Sequence, residues 1–263
     1  MLSKLERTKF ESKSQHGSVN GRTYRFIFTR LAKDYKGYAN ANYTVSNCWD
    51  SLTGVYPLAG ATLSKASWNF KDPTTYKLTF FNSPTVKDSG VIWNGVDQYA
   101  STGITFFSGQ KTYHLSYYSI TNNNVAAQDI GYYQNSPTNQ LGMYISYTGG
   151  TSYFEFFNKE ISYSNSSAVQ ALWLQTQNAD NKYAYKNATQ IVSNSTSGNG
   201  AVSGLPILLN VATTGVTRAS TRGCGFAQVG GYLTSTQVTG LYNSIQALKQ
   251  RLGVSVGSSI TID

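Results

Sequence analysis

The sequence is poor in charge, in cysteine and in long apolar runs, and each shortage excludes a class of protein. Only 13% of the 263 residues are charged, and 21 Lys and Arg outnumber 12 acidic residues. No stretch approaches roughly 18 apolar residues, so we expect no membrane span. The N-terminus lacks the apolar core of a secretory signal, so we expect a protein that is made in the cytoplasm and does not leave through that route.

Cysteine and histidine are too few for the usual metal and nucleophile motifs. The two cysteines, Cys48 and Cys224, have neither Cys-x-x-Cys nor Cys/His spacing, so the sequence predicts no zinc site and no cofactor. We expect two unpaired thiols, and a disulfide stays open if the fold brings them together. The only histidines are His16, in a basic segment, and His114, in a predicted strand. No nucleophile elbow and no phosphate-binding loop accompanies them.

Acidic residues are equally sparse where a glycosidase would need them. Between residues 130 and 200 the only carboxylates are Glu155, Glu160 and Asp180. Glu155 and Glu160 are five positions apart, which predicts opposite faces of one continuous strand and therefore no shared glycosidic bond unless a bulge intervenes. We accordingly predict that the protein is not an enzyme and has no catalytic residues.

Aromatic residues are what the sequence has in excess, and they indicate an all-β fold. Aromatics make up 14% of the chain and include 20 Tyr, and such side chains pack well on pleated surfaces. From about residue 66 onward, short aromatic runs alternate with Gly, Asn and Pro at the spacing of an antiparallel β-sandwich. In "TYHLSYYSI" one predicted face is buried and the other wet: the first carries Tyr113, Leu115 and Tyr117, the second His114, Ser116 and Tyr118.

One helix is predicted near the C-terminus, over residues 235–252. Apolar residues recur at three-four spacing in "LTSTQVTGLYNSIQALKQRLG". Thr234 and Gln237 form a capping box, and Gly253 supplies the stop. We expect this helix to cover one face or edge of the sandwich.

The basic character belongs to an N-terminal arm. Residues 1–36 hold nine Lys or Arg against three acidic residues, a net charge of +6. Residues 1–65 are read as this arm and an irregular lead-in, and residues 66–263 as the sandwich domain. No nucleic-acid-binding fold follows, so we expect the arm to attach to an acidic protein surface. The residues predicted to make this attachment are Lys4, Arg7, Lys9, Lys13, Arg22, Arg25 and Arg30.

The stretch "VIWNGVDQYASTGI", residues 91–104, leads to a resemblance. An Asn-Gly turn is followed by an aromatic strand closed by Ser-Thr-Gly, and residues 230–253 supply the terminal helix phrase. Together they resemble the concanavalin A-like, laminin-G-like jelly-roll domains, with Gln237 where an acidic residue is usual. We interpret Asn94-Gly95 as a fold-building turn, and Trp93 and Tyr99 as core or edge rings.

The segment "SWNFKDPTTYKLTFFNSPTV", residues 67–86, is similar more narrowly to phage virion proteins, often from phages of Bacteroidota. The resemblance implies a non-enzymatic structural protein on the exterior of the virion, as a capsid decoration, head fibre or tail component. Its partners would be other virion proteins and, by symmetry, copies of itself. A free carbohydrate-binding lectin is the alternative, and a glycoside hydrolase is the third reading.

Glycan binding is the frequent use of this family, and it needs exposed aromatic planes beside amides. Residues 119–140 form the candidate loop, and its predicted glycan-binding residues are Tyr132, Tyr133, Asn135 and Gln140. Some laminin-G-like domains also bind calcium. Asp97 and Asp129 are conceivable ligands, but no carboxylates cluster around them in the sequence, and we predict no metal site.

Overall fold

The computed structural model describes residues 48–58, 62–135, 138–165, 169–198, 200–201, 204–213 and 218–251. The predicted arm residues lie outside these ranges. The described residues form a short 3-10 turn at Trp49–Ser51, fifteen strands and two helices. The strands are β1 (Leu52–Pro57), β2 (Thr79–Phe81), β3 (Thr85–Lys87), β4 (Gly90–Ile92), β5 (Tyr99–Thr105), β6 (Thr112–Ser119), β7 (Ile130–Asn135), β8 (Thr138–Tyr144), β9 (Thr151–Phe156), β10 (Glu160–Ser164), β11 (Leu172–Asn178), β12 (Asn181–Lys186), β13 (Thr189–Asn194), β14 (Pro206–Leu209) and β15 (Cys224–Gly230); the helices are α1 (Leu63–Ala66) and α2 (Ser235–Arg251).

Two antiparallel sheets form a sandwich, which confirms the predicted fold class. The first sheet has the order β13-β12-β11-β6-β15-β4-β3, with β1 also paired to β15. The second has the order β10-β9-β8-β7-β14-β5-β2. In the second sheet β7 to β10 run as a meander, so residues 130 to 164 supply four neighbouring strands.

The main core lies between the sheets and is built by alternation. In β6 the buried rings of Tyr113 and Tyr117 flank Leu115 on the inner face. In β9, Phe154 and Phe156 point inward while Tyr153 and Glu155 point outward. The period of two therefore assigns each strand residue to the core or to an outer surface.

The outer face of the first sheet is buried as well, which corrects the prediction of a wet face. His114, Ser116 and Tyr118 are all buried, because a second apolar cluster lies over this face. Its members come from the 3-10 turn, β1, β6, β11, β15 and helix α2, and they include Trp49, Leu52, Phe226, Leu241 and Ile245. The prediction that the helix covers one face of the sandwich is confirmed.

The part of the lead-in that the structure describes contributes a strand to the sandwich. Strand β1 pairs with β15 from Leu52 opposite Gly230 to Pro57 opposite Phe226. The buried Asn69 side chain fixes the strand to the following segment: its Oδ1 accepts from the Val55 amide at 2.9 Å. Its Nδ2 donates to the Thr53 carbonyl at 3.1 Å.

Helix α2 begins at the predicted capping box. The Thr234 amide donates to Gln237 Oε1 at 2.9 Å, and the Gln237 amide donates to Thr234 Oγ1 at 3.3 Å. The predicted stop at Gly253 lies outside the described residues. Both cysteines are buried free thiols, Cys48 in the cluster under the helix and Cys224 in the main core.

The Asn94-Gly95 turn connects the two sheets. Strand β4 belongs to the first sheet and β5 to the second. The Asn94 Oδ1 accepts from the amides of Val96, Asp97 and Gln98 at 2.9 to 3.2 Å. Gly95 has φ +71°, the left-handed conformation that glycine tolerates.

Candidate functional site

The outer face of the second sheet carries the polar and aromatic residues that a ligand would meet. Register aligns Gly131, Gly142, Glu155 and Glu160 in one row across β7, β8, β9 and β10. Their neighbours along each strand, Ile130, Met143, Phe154 and Ile161, point into the core. This row therefore lies on the side of the sheet away from the core.

Four tyrosines lie beside this row, and we call them the tyrosine face: Tyr133, Tyr144, Tyr147 and Tyr153. Tyr144 and Tyr153 are cross-strand partners. The Tyr147 ring meets both edge-on, with centroids at 6.1 Å from Tyr144 and 5.6 Å from Tyr153. Tyr133, Tyr147 and Tyr153 are half-buried, and Tyr144 is buried beneath its neighbours.

Arg218 lies over this face from the segment between β14 and β15. Its guanidinium carbon is 5.5 Å from the Tyr133 ring and 5.6 Å from the Tyr144 ring. One guanidinium nitrogen donates to the Tyr144 hydroxyl at 2.6 Å. The side chain is exposed, and the backbone has φ +56°, an uncommon conformation outside glycine. The structure thus holds a guanidinium at the surface, within cation–π distance of two rings.

Two facing glycines make room for a buried amide next to Arg218. Gly131 (φ +140°) and Gly142 (φ +152°) pair across β7 and β8, and a Cβ on either would overlap the Gln128 side chain and the neighbouring backbone. Gln128 Nε2 donates to the Leu141 carbonyl at 2.8 Å, while its buried Oε1 has no partner among the described residues. The backbone N–H of Gln128 donates to the backbone carbonyl of Arg218 at 3.1 Å, which links the two segments.

Glu155 and Glu160 share one face, which corrects the prediction that they point to opposite faces. The chain turns back at Phe157 and Asn158, both with positive φ, so Glu160 pairs directly with Glu155 across a hairpin. Burial raises the pKa of Glu155 to about 7, helped by the negative charge of Glu160 and a hydrogen bond between the two side chains; Arg218 opposes the shift. At neutral pH the pair therefore holds a proton that it can lose or gain.

The four predicted glycan-binding residues fall in different places. Tyr132 is 2% exposed and lies in the main core, its hydroxyl bonded to Asn139 Oδ1 at 3.1 Å, so it offers no ring to a ligand. Tyr133 lies on the tyrosine face. Gln140 lies beside that face, where its Nε2 donates to the Tyr144 hydroxyl at 2.5 Å. Asn135 ends β7, and its side chain lies outside the described residues.

Asp129, considered above for calcium, is neutralised by a buried arginine. Both of its carboxylate oxygens accept from one guanidinium nitrogen of Arg222, at 2.8 and 2.6 Å, and both side chains are fully buried. Arg222 also donates to the carbonyls of Asn123, Val125 and Ser146. This pair fixes residues 123–129, which include Gln128 and lead directly into β7, against the sandwich. In the described part of the chain no group of three or more His, Cys, Asp or Glu is placed to hold a metal ion.

Arg218, Tyr144, Tyr147 and Tyr153 were missed from the sequence. Arg218 lies in an irregular segment between two strands. The residues around it follow no strand or helix periodicity, so the sequence does not indicate which face of the sandwich it covers. The three tyrosines occupy outward positions of β8, β9 and their connection. The alternation of "YFEF" could have placed Tyr153 and Glu155 on one face.

Comparisons with known proteins identify the fold. No protein-family model and no curated protein matches the sequence. Among solved structures, a mutant of the Trypanosoma rangeli sialidase with trans-sialidase activity matches with a TM-score of 0.60 and 12% identity over 88% of this chain. The same sialidase in complex with sialic acid matches with a TM-score of 0.58 and 10% identity. Domain 4 of an extracellular arabinanase from Geobacillus stearothermophilus, in complex with arabinotriose, has 14% identity over 73% of this chain and 98% of that domain, with a TM-score of 0.49.

The two sialidase matches show a shared fold, and the chain spans only about two fifths of the sialidases' length, 39% and 40%. They contradict the prediction that the chain is not an enzyme, because the fold occurs within chains that are sialidases. The premise of that prediction is also wrong, since Glu155 and Glu160 are neighbours on one surface.

In the described residues no helix is long and apolar enough to cross a membrane.

Proposed function

We propose that this chain is a carbohydrate-binding protein whose glycan site is the tyrosine face with Arg218, Gln140 and the Glu155–Glu160 pair. The observation that supports it most is the position of exposed Arg218 over the rings of Tyr133 and Tyr144, beside two further half-buried rings. Sugar rings present an apolar face and a polar rim, so flat aromatic rings next to amides, carboxyls and a guanidinium match them. The fold shared with sialidase chains supports the same class of ligand.

The test is a glycan array probed with the full chain, followed by titration calorimetry on the bound glycans. We expect Tyr147→Ala and Tyr153→Ala to weaken binding about tenfold each, roughly 1.4 kcal/mol, because each removes a ring from the site. Phe107→Ala is the matched control, since Phe107 is an exposed ring in the turn after β5. Equal affinity for all three variants, or an array without a bound glycan, would refute the proposal.

A second candidate function is cleavage of the bound glycan. The specific observation is the carboxyl pair: glycosidases use one protonated and one ionised carboxyl, and Glu155 has a pKa raised to about 7 beside Glu160. Retaining enzymes hold such groups roughly 5 Å apart, so a substrate would have to separate this hydrogen-bonded pair. Release of reducing sugar from array-positive glycans, lost in Glu160→Gln, would support cleavage, and intact glycans after long incubation would exclude it for those glycans.

Display on the exterior of a phage particle, as a capsid decoration, head fibre or tail component, remains a proposal that rests on the sequence. The basic arm of residues 1–36 and the resemblance to virion proteins support it. Cryo-electron microscopy of particles from a phage that encodes the chain tests it. Density for the sandwich outside a capsid or tail lattice, with the arm against a neighbour, is the expected result. Particles without the chain would overturn the virion role and leave the free lectin.

A further inference from the structure

We propose that the ligand of this glycan site is an acidic sugar that carries a carboxylate, and that the Glu155–Glu160 pair takes up a proton when the ligand binds. This inference rests on the proposed function. The proposal combines an arginine that forms no ion pair with any described residue and a carboxyl pair that lies beside it. Each is argued from its contacts in turn.

Arg218 has a guanidinium that is available to an anion. Arg218 forms no ion pair with a described residue, whereas Lys111 pairs with Asp180 and Arg222 with Asp129 elsewhere in the sandwich. Its one hydrogen bond to a side chain in that part of the structure is to the Tyr144 hydroxyl. Arginine binds planar carboxylates with two parallel N–H bonds. The hydrogen bond to Tyr144 and the cation–π contacts with Tyr133 and Tyr144 hold the guanidinium in place at this surface. An acidic sugar fits this surface better than a neutral one.

The Glu155–Glu160 pair sets the charge of the same surface. With both carboxyls ionised, the pair and Arg218 sum to a net charge of −1, which repels an anionic sugar. With one proton on the pair the net charge is zero, and Arg218 can then attract the anionic sugar. A ligand carboxylate bound next to the pair makes ionisation of both glutamates less favourable. Ligand binding and protonation of the pair therefore strengthen each other.

The other groups that face this pair do not titrate in the same range. The tyrosine face contributes four phenol side chains, from β7, β8, β9 and the β8–β9 connection, and a free phenol has a pKa of about 10. Burial raises the pKa of Tyr144 to about 12. Gln128 and Gln140 are amides, and the Lys159 side chain, in the β9–β10 turn, lies against Gly198. The pair is therefore the group whose charge changes near neutral pH.

The test compares matched acidic and neutral probes on the full chain: sialyllactose against lactose, and trigalacturonate against trigalactose. Ligand-observed NMR and calorimetry give the affinities at pH 6 and 8. We expect at least one acidic probe to bind, about tenfold more tightly at pH 6 than at pH 8, since one proton is linked to binding. The heat of binding should differ between phosphate and Tris buffers, because a proton is taken up.

Variants separate the two parts of the proposal. The Glu155→Gln variant should bind the acidic probe at pH 8 as tightly as at pH 6, because it lacks the carboxyl that takes up the proton. Arg218→Gln should abolish the preference for the acidic probe, and Arg218→Lys should retain part of it because the charge remains without the planar fork. Lys77→Gln, which removes an exposed cation above Trp68, is the matched control. It should change nothing.

The outcomes distinguish this inference from the proposed function. Neutral probes bound as tightly as acidic ones, with no effect of Arg218→Gln, would overturn the acidic ligand and leave glycan binding standing. An acidic probe bound with the same affinity at both pH values would overturn the coupled proton. Absence of binding to these probes and to every array glycan would overturn both proposals.

Discussion

The pH dependence of stability can be predicted from two buried groups that act in opposite directions. His114 is fully buried between the first sheet and the segment after β15, where its Nδ1 lies 2.6 Å from the Gly231 carbonyl. That contact requires a proton on Nδ1 and leaves the buried Nε2 as an acceptor without a partner in the described residues. Burial lowers the pKa of His114 from 6.5 to about 4.

The sign follows from which state binds more protons. Between pH 6.5 and 4 the unfolded chain protonates this histidine and the folded chain does not, so stability falls as the pH falls through this window. From pH 7 to 5 the loss is about 2 kcal/mol. Glu155 acts oppositely: its pKa is raised from 4.5 to about 7, so the folded state holds the extra proton and gains stability over the same range. Because Glu155 is partly exposed, we expect its gain to be smaller, roughly 1 kcal/mol.

Single substitutions separate the two effects. We expect His114→Asn, whose amide can still donate to the Gly231 carbonyl, to remove the loss, so that its stability rises from pH 7 to 5 while that of the wild type falls. Glu155→Gln should steepen the fall. Urea unfolding followed by tryptophan fluorescence at several pH values gives the slopes, which are independent of any packing cost of the substitutions. His16→Asn is the control for histidine outside the described residues. Parallel pH profiles for wild type and His114→Asn would refute the buried neutral histidine.

Three further predictions concern stability. Arg222→Met should lower the free energy of unfolding by about 3 to 5 kcal/mol because it strands a buried carboxylate, and adding Asp129→Leu should restore part of the loss in a double-mutant cycle by urea unfolding. Gly142→Ala should cost at least roughly 1 to 3 kcal/mol from its φ alone, and more from overlap with Gln128; Gly149→Ala, also at positive φ but in open space, isolates the first contribution. Thr234→Ala should cost about 1 kcal/mol at the start of α2, and an unchanged melting temperature would contradict the capping box.

Periodicity predicted much of the fold because alternation and three-four spacing are local. The helix, its capping box and the division of β6 into two faces were all readable from neighbouring residues. Segments that are distant in sequence cover the faces of the sheets. His114 is buried because the 3-10 turn, β1 and α2 pack over the outer face of the first sheet. No local pattern indicates that the polar-looking face of a strand lies under a helix.

The site was less predictable because single turns and long-range pairs determine it. The error over Glu155 and Glu160 came from treating "FEFFNKE" as one strand, when Phe157 and Asn158 reverse the chain. The Asn in this stretch tolerates positive φ and could have suggested the hairpin. The Arg222–Asp129 pair joins residues 93 positions apart and has no counterpart in the local sequence.

The location of the proposed site follows from what the rest of the sandwich leaves open. The facing surfaces of the two sheets form the main core, and helix α2 with the lead-in covers the outer face of the first sheet. The outer face of the second sheet is thus the broad sheet surface that stays accessible in the described structure. Arg218 reaches this face from a segment that lies four residues before Arg222, and the buried Arg222–Asp129 pair fixes both that segment and Gln128. The interaction that stabilises one end of the sandwich therefore also positions the guanidinium that we assign to the ligand.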